Sequence, residues 1–207
     1  SKILFKLIDK TKFAISNEET RYFLNGLYFN ITSENNQNIV TLVGTDGHRL
    51  AKFSHEIDGQ IDQVSGVIIP KKTIYELSKL LSEIDTEVYI SISSNKITFV
   101  IADIIFISKL IDGSFPDYKR VIPKDNSNIL KINREILLSA VDRVSTIAND
   151  KSPVIKFKLL QNVLNLNTIN NESSTASEDL EINYSGDEIE IGFNSKYIMD
   201  MLNNLED

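Results

Sequence analysis

Residues 43–54 read VGTDGHRLAKFS, with Asp46 and His48 two apart and bracketed by Thr45 and Arg49. Three kinds of chemistry use such residues. A nucleophilic triad sets a carboxylate behind a histidine that faces a Ser or Cys. A metal centre gathers three or four ligands. A turn spends the Asp on its own backbone. The first lacks a G-x-S-x-G elbow and any cysteine, and side chains at i and i+2 of a tight turn do not easily face one another. The second lacks ligands, because the only other histidine is His55. A turn, or a binding corner built on one, is the favoured reading. A hydrolase or metal-dependent enzyme using Asp46 and His48 is the competing one.

Cations form a second group. Lys2, Lys6 and Lys10 recur every four residues, and Lys71, Lys72 and Lys79 sit on another helical stretch. The plainer reading is a solvated face, with Glu76 pairing to Lys72 and Lys79. The other is weak, sequence-independent attraction to the phosphates of a duplex. A third group lies near turns: Tyr22, Phe23, Leu24, Phe115, Pro116, Tyr118 and Tyr197. Each alone is most often core. Pro116 and Tyr118 sit in a polar linker, where an exposed apolar patch would suggest a partner site.

The elements that must position these residues follow from periodicity. Residues 2–12 predict an amphipathic helix. RYFLNGLYFNIT (21–32) predicts a hairpin turning at Asn25-Gly26, and NIVTLVGT (38–45) a strand. Asp46-Gly47 turns the chain into RLAKFSHEI (49–57), and GVIIP (66–70) is a short buried strand. Pro70 opens a helix whose apolar face is Ile74, Leu77, Leu80 and Leu81. Three strands follow between 87 and 112, with Ser94-Asn95 turning the first pair. Residues 113–128 hold two prolines and form the linker. Beyond it come a helix over 133–148 with Asn133 as N-cap, strands at VIKFKLL and VLNLNTI, and a polar hairpin tip at 170–179. Strands at EINYSG and EIEIGF then lead into a helix over 194–205.

The two halves share an order. Residues 12–23 lie over 144–155 and residues 70–81 over 194–205, matching Ile15 with Ile147, Asn17 with Asn149, Ile74 with Ile198 and Leu81 with Leu205. This is a diverged repeat whose second copy lacks the strands at 87–111.

Bulk properties bound the class. The 207 residues are 42% hydrophobic and 25% charged, enough for a core without staples. With no cysteine, disulfides and thiolate zinc sites are excluded, which fits a cytosolic protein. No apolar run reaches the ~18 residues that span a membrane. The net charge of −7 argues against whole-surface affinity for nucleic acid but permits a local basic stripe. Both ends read as lying within a longer protein.

RYFLNGLYF (21–29), TDGHRLA (45–51), SKLIDGSFPDYKRVIP (108–123) and INYSGDEIEIGFNSKYIMDMLNNL (182–205) together resemble the bacterial sliding clamp, the beta subunit of DNA polymerase III. They occur in the right order over essentially the whole chain. The resemblance implies an α+β DNA-clamp fold: a ring of repeated domains, each with two helices packed on antiparallel sheets. Residues 1–117 would be the middle domain without its first strand, and 118–207 the start of the third domain without its C-terminal strands.

The implied function is that of a processivity factor without catalytic residues, cofactor or metal. Two full-length chains would close as a homodimer around double-stranded DNA without reading sequence. The expected partners are the polymerase III alpha subunit, clamp-loader subunits and other clamp-motif proteins, in the cytoplasm and away from membranes. The resemblance assigns a peptide pocket to Leu24, Thr45, Gly47, His48, Arg49, Leu50, Pro116, Arg120, Val121, Asn194 and Tyr197. It assigns a DNA-facing surface to Lys2, Lys6, Lys10, Arg21, Tyr22, Phe23, Lys71, Lys72 and Lys79, and a dimer contact to Thr146 and Ile147. A protein-interaction module that never meets DNA is the remaining alternative.

Overall fold

The computed structural model describes residues 1–34, 37–58, 64–148, 153–169 and 174–206, and the chain divides into two compact units, Ser1–Asp117 and Tyr118–Asp207. In the first unit, α1 (Lys2–Asp9) precedes β1 (Gly26–Glu34), β2 (Gln37–Thr45), β3 (Leu50–Ile57) and β4 (Val64–Pro70). Helix α2 (Lys71–Glu83) and strands β5 (Val88–Ile92), β6 (Lys96–Ile101) and β7 (Ile104–Lys109) complete it. The strands make two antiparallel sheets, ordered β3-β2-β1-β4 and β5-β6-β7.

Leucines and isoleucines at helical spacing bury one face of each helix: Leu4, Leu7 and Ile8 on α1, and Ile74, Leu77 and Leu81 on α2. They pack with Leu27, Phe29, Val40 and Leu42 of one sheet and with Ile97, Phe99 and Ile101 of the other, in a single core. Strand β6 shows the period of two plainly, since Ile97, Phe99 and Ile101 are buried while Thr98 and Val100 are not.

The second unit repeats this plan. Helix α3 (Arg134–Ser145) precedes β8 (Val154–Leu160), β9 (Val163–Ile169), β10 (Thr175–Glu181) and β11 (Ile189–Asn194), and α4 (Ser195–Asn204) follows. The sheet order β10-β9-β8-β11 is that of the first unit, strand for strand. Asn133 caps α3 by accepting the Ile136 N–H at 3.1 Å. One detail marks the repeat closely. The first N–H of α2, on Lys71, donates to the Asn25 carbonyl at 2.9 Å, and that of α4, on Ser195, donates to the Pro153 carbonyl at 2.8 Å. Each second helix is thereby pinned to the residue before its sheet's first central strand. The match of Asn17 with Asn149 lies outside the described residues.

Four expectations need correcting. The Asn25-Gly26 pair is not a hairpin turn: Tyr22–Leu24 form a short 3-10 helix, and Gly26 starts β1 opposite Pro70. Its glycine is required by close approach, because a Cβ there would lie 2.2 Å from the Ile69 carbonyl oxygen. The first helix stops at Asp9 rather than 12, where the Thr11 hydroxyl donates back to the Leu7 carbonyl at 2.7 Å and a 3-10 helix, Lys12–Ala14, follows. Of the expected polar tip, 170–173 lie outside the described residues, while 175–179 belong to β10, whose polar side chains face outward. EINYSG is not a strand: β10 ends at Glu181, and Tyr184, 1% exposed, anchors the returning loop through its hydroxyl to the Asp187 carbonyl at 2.5 Å.

Candidate functional site

The turn between β2 and β3 spends its polar groups on itself. Gly47 takes φ +88°, a left-handed conformation that glycine adopts without steric penalty. Asp46 Oδ1 accepts the N–H groups of His48 at 2.9 Å and Arg49 at 3.0 Å, and Oδ2 accepts the Arg49 Nε–H at 3.1 Å. The Thr45 hydroxyl donates to the Arg49 carbonyl at 2.6 Å and accepts the Gly47 N–H at 3.1 Å. A carboxylate used this way caps a turn rather than orienting an imidazole. Among the described residues no cluster of three or more His, Cys, Asp or Glu side chains could hold a metal.

Two residues that pattern reading missed hold the corner from below. Phe13 accepts the Arg49 Nη2–H through its carbonyl at 2.9 Å and lies under the guanidinium with its ring centroid 5.5 Å away. Glu18 takes a two-pronged hydrogen bond from Arg21, both contacts at 2.7 Å, and Arg21 Nη2 also donates to the Asp46 carbonyl at 3.0 Å. The Arg21 hydrogen bonds hold the Glu18 carboxyl below its ordinary range, and Glu18 in turn raises Arg21. The i, i+3 spacing of Glu18 and Arg21 was the available signal. Phe13 offered none, since its role rests on a backbone oxygen.

The other sequence-predicted residues divide by environment. Leu24 is 2% exposed and belongs to the interior, whereas Leu50 is half-buried and Pro116 exposed. Tyr22 is 55% exposed and meets Phe23 edge to face at 5.9 Å. In the second unit Arg120 and Val121 are exposed at the end of the 3-10 helix Tyr118–Arg120. Tyr118 is buried, the core reading of its type, and adds nothing to an exposed apolar patch in the linker. Asn194 caps α4 by accepting the Lys196 N–H at 3.0 Å, with half-buried Tyr197 in the first turn beyond it. Thr146 closes α3, its hydroxyl donating to the Asp142 carbonyl at 3.2 Å, and Ile147 is half-buried.

Five of the six lysines lie on two helices that pack against each other, α1 and α2, and Lys10 follows α1 directly. Many are tethered. Lys2 pairs with Asp85 at 2.6 Å, Lys6 lies 5.9 Å from the Phe53 ring centroid, and Lys71 bonds Asn17 and covers the Tyr75 ring. Glu76 pairs with Lys79 at 3.2 Å, one of the two pairings expected. Lys12, which the pattern did not single out, bridges the helices, contacting Asp9 at 2.8 Å and the Ser78 hydroxyl at 3.1 Å. The helix pair thus carries a concentration of cations on an acidic chain.

Family comparison agrees with this geometry. Residues 1–117 match the family model for the DNA polymerase III beta subunit, central domain, and residues 119–207 match that for its C-terminal domain. The chain belongs to the beta sliding clamp family. It is 42% identical over 198 residues to the beta sliding clamp of Caulobacter vibrioides, covering 96% of this chain and 53% of that protein. Against the Escherichia coli K12 beta sliding clamp the identity is 39% over 201 residues, covering 97% and 54%. The chain therefore spans about half the length of the curated relatives it matches.

Among solved structures, the sliding clamp of Bartonella birtlesii bound to griselimycin is 47% identical, with a TM-score of 0.95 over 100% of this chain and 55% of that one. The Caulobacter crescentus clamp gives 41% identity and a TM-score of 0.94, again over 100% and 55%. The fold is the clamp fold, α+β with helices on antiparallel sheets. Among the described residues no helix is long and apolar enough to cross a membrane.

Proposed function

We propose that the two units act as the middle domain and part of the third domain of a ring-shaped processivity factor. The ring encircles duplex DNA, tethers the replicative polymerase, and performs no chemistry of its own. The observation that carries this reading is the consecutive match to both family domains over nearly every residue. The sheet order repeated in the two units supports it. The cations of α1 and α2, joined by Arg21, Tyr22 and Phe23, form the surface toward DNA. They supply weak phosphate attraction that permits sliding without reading sequence. Closure is by homodimerisation of full-length chains, to which Thr146 and Ile147 contribute, and the clamp works in the cytoplasm.

The 45–50 corner contributes one wall of a peptide-docking pocket for polymerase, clamp-loader and repair proteins. The resemblance adds Pro116, Arg120, Val121, Asn194 and Tyr197, together with Leu24, whose 2% exposure gives it a supporting rather than a contacting role. Half-buried Leu50 and exposed Val121 and Pro116 offer apolar anchors worth about 1.5–3 kcal/mol for each large aliphatic side chain buried. His48 and Arg49 supply polar groups beside Leu50, the composition expected of a short-motif site.

The test of the ring is topological. A full-length clamp carrying these units is loaded on circular DNA, which is then linearised. Loss of the clamp from the free ends supports encirclement, and retention defeats it. For the pocket, a clamp-motif peptide is titrated against that protein and its Arg49→Ala variant. Equal affinities would remove Arg49 from the site.

A further inference from the structure

Arg21 stands between the two surfaces just assigned. It precedes exposed Tyr22 in the chain, and it touches the 45–50 corner. Its Nε and Nη2 each donate to Glu18 at 2.7 Å, and Nη2 also reaches the Asp46 carbonyl at 3.0 Å. The guanidinium lies so close to the turn that a Cβ on Gly47 would come within 2.3 Å of Nη1. Asp46 thus meets two arginines, Arg21 through its carbonyl oxygen and Arg49 through its carboxylate. About a third of the Arg21 side chain remains open to solvent, and so does half of Glu18.

We infer that Arg21 is a positioning residue for the 46–49 turn, and that a duplex phosphate drawing its donors away from Glu18 and Asp46 shifts that turn. The inference rests on the reading that residues 21–23 face DNA. The chemistry of the exchange is simple. A guanidinium presents a rigid fork of donors that suits carboxylate and phosphate equally. Glu18 is an exposed carboxylate, so its hold is of the modest kind that a phosphate can replace. Because coupling is reciprocal, a ligand that fixes the corner must change duplex affinity by the same factor as the duplex changes its own.

The test is an NMR titration of the ¹⁵N-labelled 207-residue chain with a short DNA duplex. The expected result is that the Arg21 Nε–H signal and the Gly47, His48 and Arg49 amide signals move together with one midpoint. Arg21→Lys keeps the charge and loses the fork, so the duplex should still bind, though more weakly, and the titration is carried to saturation. In that variant the Gly47–Arg49 signals should begin near their duplex-bound positions and cease to respond. If the duplex moves Arg21 but not Gly47–Arg49, the coupling is overturned and the DNA-facing reading survives. If the Gly47–Arg49 shifts persist in Arg21→Lys, the duplex contacts the turn directly and the coupling is likewise overturned. If nothing moves at Arg21, the DNA-facing reading falls and the coupling with it.

Discussion

Asp46 and Arg49 close the β2–β3 corner on each other. The carboxylate accepts the arginine's Nε–H at 3.1 Å while its other oxygen accepts the arginine's own backbone N–H at 3.0 Å. Both side chains are mostly enclosed, at 15% and 19% exposure, so the pair sets the shape of the turn rather than decorating it. Asp46→Ala removes a turn cap and an ionised acceptor and should destabilise the first unit by about 1–3 kcal/mol. Asp46→Asn, which keeps one acceptor, should lose less. Urea unfolding followed by circular dichroism measures both, and a wild-type midpoint for Asp46→Ala would show that the carboxylate does not hold the turn.

Gly47→Ala places a side chain at φ +88°, with its Cβ against Arg21 Nη1. The left-handed conformation alone costs about 1–2 kcal/mol for an alanine. Displacing Arg21 from Asp46 adds to it. In an Arg21→Ala background the same substitution should be less damaging, and the double-mutant cycle measures the difference. A strictly additive cycle would mean that Arg21 is not packed on the turn.

Tyr28 stacks on Phe115 with centroids 5.0 Å apart, and its ring occupies the space that a side chain at position 66 would need, 2.0 Å from a built Cβ. Gly66→Ala should overpack this site, at about 1–3 kcal/mol, and unstack the rings. Burial raises the Tyr28 phenol. The unfolded chain then ionises first as pH rises, so this contribution is present below the ordinary tyrosine range and is lost through alkaline pH. Ultraviolet titration of the tyrosines should show two members above the ordinary range, Tyr28 and Tyr89, the latter raised by its hydrogen bond to Glu87, and only the Tyr28 step should move down in Phe115→Ala.

Acid acts in the opposite direction. Glu178 is held below its ordinary range by Arg143, which grips it from α3 with contacts of 3.0 and 2.5 Å, and Glu18 is lowered by Arg21. Such groups stabilise the fold above the unfolded carboxylate range and lose that contribution as pH falls through their depressed values. The thermal midpoint should therefore drop on acidification below the ordinary carboxylate range, and Glu178→Gln should flatten part of the slope. An unchanged acid limb in the variant would dissociate the pair from stability.

Lys6→Glu and Lys72→Glu should weaken duplex binding by a full-length clamp uniformly across sequences. Each substitution should reduce the magnitude of the slope of log K against log salt by about one for every phosphate left unneutralised. Both residues are exposed, so the fold should be unaffected. Unchanged slopes would assign α1 and α2 to a plainly solvated face.

Much of the framework was legible because local pattern and tertiary environment agreed. Leu4, Leu7 and Ile8, or Ile97, Phe99 and Ile101, mark a buried face by spacing alone, and Asn133 signals a helix start by chemistry alone. The errors fall where a residue's reason is its neighbour in space. Gly26 looked like half of a hairpin turn, yet its glycine answers to the Ile69 carbonyl, far along the chain. Strand β10 looked like a loop because its outward face is polar, and what makes it a strand is its ladder to β9.

The sequence by itself determined the helix faces, the repeat of one unit, the turn at Asp46-Gly47 and the resemblance that led to the family. Periodicity, turn chemistry and motif order are properties of neighbours along the chain. Only the tertiary structure decided that Phe13 braces the corner and that Arg21 joins the turn to the loop before Tyr22. Those relations are hydrogen bonds and packing between segments far apart in sequence, and no local spacing encodes which carbonyl a guanidinium will find.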